Sequence, residues 1–406
     1  MNTPFLRASA LLAVLPLFVR ADALPAPAGP DDFIAHARLH NAALAAATHR
    51  VEAARERVGP ARTLPDPLLM YGYYLRRMET RQTIGVSQAF PFPGTLSRRA
   101  AVAEAQTGVR FQEAEAVRLS MEEAIRTSYA ELALLEESIR LVAENKELLD
   151  TVAGVVESRL GAGRSASADL IRIEVERIRL EDEQLRLEAR RPYLQAQLDA
   201  LTGRNPAEIF PSLQPLTELV SGEDSPPFAD LNLAHNPVLE GIERALAGNR
   251  VAIELAQREG RPGFSVGAEW MDARGGGRDE VRLTLGVSLP VWRERYRSGV
   301  REARAEQRAL EADHLDLRRR LLAEIRQAED KLRDAERRLA LYEGRLMERA
   351  REALAAEESA YRAGGSDLLN LIDARRVLLD IERTHRQALA EAYTARAVLR
   401  RIFGDH

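Results

Sequence analysis

The stretch IGVSQAFPFPG, Ile84 to Gly94, closes a run in which apolar residues alternate with small or polar ones; LGVSLPVWRER, Leu285 to Arg295, closes another. Gly85-Val86-Ser87 returns as Gly286-Val287-Ser288, a spacing of 201 residues. The same spacing relates Glu157-Ser158 to Glu358-Ser359, Ala162-Gly163 to Ala363-Gly364, Ser165 to Ser366, and Leu170-Ile171 to Leu371-Ile372. An offset that holds from a strand ending to a distant turn marks two duplicated structural units, and it implies intervening helices of equal length.

Working outward, the strand pairs are read as Leu68–Leu75 with Arg81–Phe90, and Gly263–Met271 with Glu280–Pro290. Phe264, Val266, Ala268 and Trp270 alternate with Ser265, Gly267, Glu269 and Met271. Val281, Leu283, Leu285, Val287 and Leu289 alternate with Arg282, Thr284, Gly286 and Ser288. Period two with one apolar face describes a half-buried soluble sheet and a membrane strand equally well. The neighbours break the tie: the adjoining helices need their apolar seams for one another, so lipid is left to cover the sheet. In lipid no sheet edge stays open, and four strands fall short of the roughly eight that close a barrel. Chains are therefore expected to pool strands in a homo-oligomer, with Ser87, Glu269, Arg282, Thr284 and Ser288 on the lumen face. Pro91, Pro93 and Pro290 lack an N–H to donate and end the ladder where barrel gives way to helix.

Long helical stretches follow each pair. Leu321, Ile325, Ala328, Leu332, Ala335, Leu339, Tyr342 and Leu346 keep a strict 4-3 alternation, and Leu132, Leu135, Ile139, Val142, Lys146, Leu149, Ala153, Val156 and Leu160 keep it with one charged interruption. Such 3.5-residue periodicity makes helices supercoil around neighbours, and Thr95 to Leu160 predicts roughly 100 Å of helix. The breaks LGAGRSASADL and YRAGGSDLLNL then predict hairpin tips, with Gly161, Gly163, Gly364 and Gly365 at the turns and Ser165 or Ser366 capping the returning helix. A helix over about Asp31–Arg62 leads the first unit, one ending at about Glu259 leads the second, and the returning helices end at about Thr202 and Phe403.

The domain reading is thus a first unit over 24–204, a Pro-rich bridge over 205–236, and a second unit over 237–406. Residues 1–23 read as a secretory signal: Arg7, an apolar core from Ala8 to Val19, and the small-x-small site Ala21-Asp22-Ala23. The chain has no Cys, which excludes disulfides and an N-terminal Cys for lipid attachment. Aromatics make up 5% and charged residues 30%, the balance of long helices, and the net charge of −4 with Arg interleaved among Glu argues against a nucleic-acid partner.

The order strand pair, long hairpin, bridge, strand pair, long hairpin resembles the TolC-type outer membrane efflux family along essentially the whole mature chain. LPDPLLMYGY (Leu64–Tyr73), VSQAFPFPGTLSRR (Val86–Arg99) and VSLPVWRER (Val287–Arg295) look like its heavy-metal-efflux branch, the Czc- and Cus-like factors. The resemblance implies a mainly α fold with membrane β: a homotrimer, a twelve-stranded barrel continuous with an α-helical periplasmic tunnel, in the outer membrane of a Gram-negative bacterium. It also implies a periplasmic adaptor docked at the tips and an inner-membrane pump of the resistance-nodulation-division type. In the family a Tyr, an Arg and two Asp close the second tip. Here Tyr361 and Asp373 match the Tyr and the second Asp, Ser366 stands at the Arg, and Asn370 stands at the first Asp. Asp169 falls on an acid of the closing network in the first tip. Converging Asp373 carboxylates would make a cation-attracting constriction, against the alternative that Asp169 and Asp373 are ordinary first-turn helix acids.

No enzyme is expected: G-x-S-x-G, Walker and G-x-G-x-x-G patterns are missing, and ARGGGRD (Ala273–Asp279) reads as a hairpin loop. Nothing in the sequence calls for a cofactor or a metal centre. His36 and His40, four apart, are the one close His spacing, and with no third ligand they read as surface histidines. The function this predicts is passive conduction of toxic cargo, heavy-metal cations or organic compounds. A periplasmic adaptor would need a lipoyl-like β-domain, which is missing, and a soluble coiled-coil scaffold would not partition into membranes.

Overall fold

A computed structural model describes residues 24–75, 80–161, 167–221, 233–273 and 278–404. The expected signal segment over 1–23 lies outside them. Three helices lead the first unit: α1 (Pro30–His40), α2 (Ala42–Glu56) and α3 (Val58–Arg62). The single helix expected over this stretch is broken, because Asn41 leaves the helical region and its side chain accepts from Leu44 N–H at 2.9 Å, capping α2. Strands β1 (Leu68–Tyr73) and β2 (Thr80–Phe90) follow, then α4 (Thr95–Gly161) and α5 (Ser167–Thr202). The bridge carries α6 (Leu216–Ser221) and a 3₁₀ turn (Leu233–His235). The second unit repeats the order with α7 (Pro237–Glu259), β3 (Gly263–Ala273), β4 (Glu280–Ser288), α8 (Arg293–Leu341), α9 (Met347–Ala363) and α10 (Leu368–Phe403).

The two strand pairs join into one antiparallel sheet in the order β1-β2-β3-β4, so β1 and β4 are its edges. β1 is shorter than the eight residues expected, and β4 stops at Ser288, two residues before Pro290. No helix among the described residues is long and apolar enough to cross a membrane.

The helices pack by the seams read from the sequence. Leu321, Ile325, Ala328, Leu332, Ala335 and Leu339 are all buried, and α8 packs here on α10. The alternation then fails: Tyr342 and Leu346, expected in the seam, are only half-buried, and the buried positions resume at Ala350, Leu354 and Tyr361. Continued 4-3 spacing would have buried 349, 353 and 360. Between Leu339 and Ala350 lies a π turn, Tyr342–Leu346, in which Met347 N–H reaches back five residues to Tyr342 C=O. A π turn takes up one extra residue without rotating the helix beyond it, so the seam re-enters its groove one residue late. The constant 201-residue offset therefore conceals unequal geometry, since α4 is helical throughout. In α4 the interruption of the seam falls at Asn145, which is buried and bonds Leu141 C=O at 2.8 Å, beside the half-buried Lys146.

The largest core lies where the bridge straps the two units. Phe33 meets Tyr129 edge-on at 5.8 Å and Phe210 stacked at 5.9 Å. Tyr129 donates to Ala28 C=O and accepts from Gln214 N–H, both at 2.8 Å, and burial pushes its phenol up. Each unit closes with the same device. Asn41 caps α2 and donates to Leu201 C=O at 2.7 Å; Asn236 caps α7 and donates to Ile402 C=O at 2.8 Å. Gly203 (φ +75°) and Gly404 (φ +82°) then end α5 and α10 in a conformation that L side chains resist.

Candidate functional site: a sheet face and a helical tip

The cross-strand register gathers the expected lumen residues on one face. Ser87, Gly267 and Thr284 lie in one row, Gly85, Glu269 and Arg282 in the next, and Gly263 with Ser288 in a third. Arg282 stands 3.7 Å from Glu269, and Gly263 N–H donates to Ser288 Oγ at 3.0 Å. Glycines face hydroxyls across the ladder: a Cβ on Gly267 would sit 2.6 Å from Thr284 Oγ1, one on Gly72 would sit 2.8 Å from Thr83 Oγ1, and one on Gly286 would strike Ser265 Oγ. Such close approaches keep these three positions on that face free of side chains. Ile84, Val86, Phe264, Val266, Val281, Leu283, Leu285 and Val287 cover the opposite face, all exposed, Leu283 by 80%. An apolar surface of this extent with two open edges is foreign to a soluble monomer.

At the far end, α9 and α10 form the second tip. Gly364 adopts φ +81°, and Gly365 N–H returns to Ala360 C=O at 2.9 Å, closing the helix. Ser366 does not cap α10, contrary to expectation. Asp367 does, accepting from Asn370 N–H at 3.0 Å, because its carboxylate is charged and one residue nearer the helix. Ser366 Oγ instead donates to Glu357 Oε2 at 2.7 Å and accepts from Asn370 Nδ2 at 3.2 Å. Tyr361 is buried with Val156, Ile173, Leu354, Leu368, Leu371 and Ile372, an apolar plug binding both hairpins together. In the first tip Gly161 is the last residue of α4, in open space, while Gly163 and Ser165 lie outside the described residues. Asp169 stands 3.7 Å from Arg172 on its own helix.

Asp373 is exposed, 3.6 Å from Arg376 Nη1. Arg376 is the residue that the sequence reading missed. It crosses from α10 to α5 and grips Glu176 two-pronged, Nε to Oε1 at 3.0 Å and Nη2 to Oε2. The guanidinium holds the Glu176 carboxyl below the usual carboxylate range. The signal was present: Glu176 occupies the buried seam of α5 between Ile173 and Leu180. At the 201-residue offset, Glu176 corresponds to Val377 and Val175 to Arg376, so each member of the pair replaces a valine of the other unit. A charge in a coiled-coil seam fixes register at some cost in stability.

Barrel-like strands carrying an apolar belt, continuous with paired helical hairpins and repeated twice, are the build of an outer membrane duct. The model of the outer membrane efflux protein family matches residues 33–204 and again 230–405. The chain belongs to the outer membrane efflux protein family. It is 21% identical over 365 residues to the cobalt-zinc-cadmium resistance protein CzcC of Cupriavidus metallidurans, covering 89% of this chain and 86% of that one. Solved structures share the fold: CusC (TM-score 0.79, 16% identity, 93% of this chain and 92% of that one) and the outer-membrane channel OprN (0.76, 19%, 93% and 90%). The MtrE channel of Neisseria gonorrhoeae does so as well (0.77, 17%, 92% and 88%). Membership makes this an outer membrane efflux channel and not an enzyme, with the mainly α, four-strand TolC-type fold. Among the described residues no three His, Cys, Asp or Glu side chains gather as metal ligands.

Proposed function

We propose that three copies of this chain pool their sheets into a twelve-stranded barrel and their hairpins into one periplasmic tunnel, forming the exit duct of a tripartite efflux system. The observation that carries the reading is the four-stranded sheet itself, with one apolar exposed face, one face of small and polar residues, and unpaired edges at β1 and β4. Pairing β1 of one copy with β4 of the next removes every edge at once. The chain is exported by its signal segment and works with a periplasmic adaptor seated on the hairpin tips and an inner-membrane pump that supplies the energy. Gly161, Gly163, Ser165, Gly364, Gly365 and Ser366 form the docking tips. Asp169, Tyr361, Asn370 and Asp373 line or brace the entrance, three Asp373 carboxylates facing one another across the axis.

Heavy-metal cations are the cargo that the resemblance to CzcC favours, and an acidic constriction suits them. Deleting the gene in the native host tests this: sensitivity should rise toward cobalt, zinc or cadmium salts, and a rise confined to organic toxins would reassign the cargo. Recovery of the protein in the soluble periplasm would sink the duct itself. Asp373→Ala should weaken block of the single-channel current by multivalent cations, and an unchanged block removes Asp373 from the entrance.

A further inference from the structure

His36 and His40 sit one turn apart on α1, and their rings pack at 4.4 Å between centroids with 36° between planes. His36 Nδ1 lies 3.2 Å from Thr202 C=O. A carbonyl only accepts, so Nδ1 carries the proton and the Nε2 lone pair is free. A backbone carbonyl holding the other ring nitrogen in this way is how metal-ligating histidines are commonly oriented. The segment is also clamped. Asn41 Nδ2 bonds Leu201 C=O at 2.7 Å, and Gly203 approaches so closely that a Cβ there would lie 2.5 Å from the His40 carbonyl oxygen. Hence α1 and α5 end side by side at the imidazole pair. Two helix C-termini bring partial negative charge to one place. The neighbouring cations are already neutralised, Arg38 by Glu122 at 2.8 Å and Arg204 by Asp199 at 2.6 Å. His40 is exposed, so a solvated ion has access.

We propose that His36 and His40 form a binding site for a borderline divalent transition-metal ion, with water completing the coordination. Imidazole pairs at i, i+4 on one helix face chelate such ions, and among the common divalent ions Cu²⁺ binds most strongly to a given nitrogen site. The site lies at the α1–α5 junction, far in sequence from the tip acids, and stands whether or not the conducted cargo is a metal. It distinguishes the units, because the residue preceding the second capping asparagine is His235 but the position four before it is Leu231.

The test is Cu²⁺ titration of the full-length protein in detergent, purified without a polyhistidine tag and buffered with glycine, followed by electron paramagnetic resonance. One Cu²⁺ per chain with two imidazole nitrogens in its hyperfine pattern is expected. Either His36→Ala or His40→Ala should leave a one-nitrogen pattern and weaken binding by more than the roughly 10-fold that loss of an outer-shell partner costs, whereas His314→Ala should leave it unchanged. His40→Ala removes an exposed ring and keeps the fold testable should His36→Ala loosen α1. Equal Cu²⁺ uptake by the wild type and the His36/His40 double variant overturns the site, as does a signal lacking imidazole nitrogen.

Discussion

Gly267 has no side chain because Thr284, directly across the ladder, leaves no room for one. Its neighbour Ala268 points the other way and is exposed on the apolar face. Gly267→Val should therefore overpack the face shared with Thr284, at a cost of about 1–3 kcal/mol, and abolish the heat-modifiable oligomer on semi-native gels, while Ala268→Val leaves it intact. The Glu176–Arg376 pair sets a second residue-scale expectation. Glu176 is buried and Arg376 half-exposed, so Glu176→Gln breaks a charged hydrogen bond worth about 1–3 kcal/mol. Faster hydrogen exchange at the α5 and α10 tips and a higher frequency of channel opening should result. Unchanged exchange in both helices would falsify a linking role. The pair also has a sign in pH. Because Arg376 holds the Glu176 carboxyl below its ordinary value, its contribution is complete above about pH 4.3, the unfolded value, and is lost as pH falls through the lowered folded value. Tip protection measured on descending from pH 7 toward 3 should fall in that acid window in the wild type and stay flat in Glu176→Gln.

At the scale of elements, the π turn is the feature that a reading of periodicity could not place. Heptad counting carries the seam of α8 on through Tyr342 and Leu346, and the sequence beyond Leu339 holds apolar residues on either of two registers. Burial selects the later one, Ala350, Leu354 and Tyr361, and the backbone accommodates the extra residue at Tyr342–Leu346. Glu343 at this turn meets the buried His385 of α10 at 2.8 Å. Deleting Gly344, whose Cβ position is open space, should remove the extra residue and fuse α8 with α9 while keeping every seam residue in place. The melting temperature should hold or rise. Deleting Ala328, in the middle of the seam, should instead rotate the rest of the helix by about 100°, and the buried plug around Tyr361 should come apart.

For the whole molecule, the relevant quantity is closure. Residues Glu280–Ser288 and Leu68–Tyr73 each present one unpaired side, and the apolar belt continues to both edges. Crosslinking in detergent should stop at three chains. Cysteine pairs introduced across β1 and β4 should join neighbouring chains and never one chain to itself, since those strands are the opposite edges of the sheet. A stable, fully folded monomer would contradict the shared barrel.

Sequence alone determined the duplicated plan, the strand pairs and the face each residue takes, and the long hairpins, because these depend on local periods of 2 and 3.5 and on Gly and Pro, which act on the chain within a turn or two. Tertiary structure decided what depends on residues distant in sequence. It joined the two strand pairs through β2 and β3, broke the leading helix at Asn41 where Leu201 offers a partner, moved the α10 cap from Ser366 to Asp367, and set Arg376 against Glu176. Each of these rests on a hydrogen bond or ion pair whose partner lies on another element, or on competition between adjacent donors and acceptors. Periodicity registers which face a residue occupies, and only packing determines what it meets there.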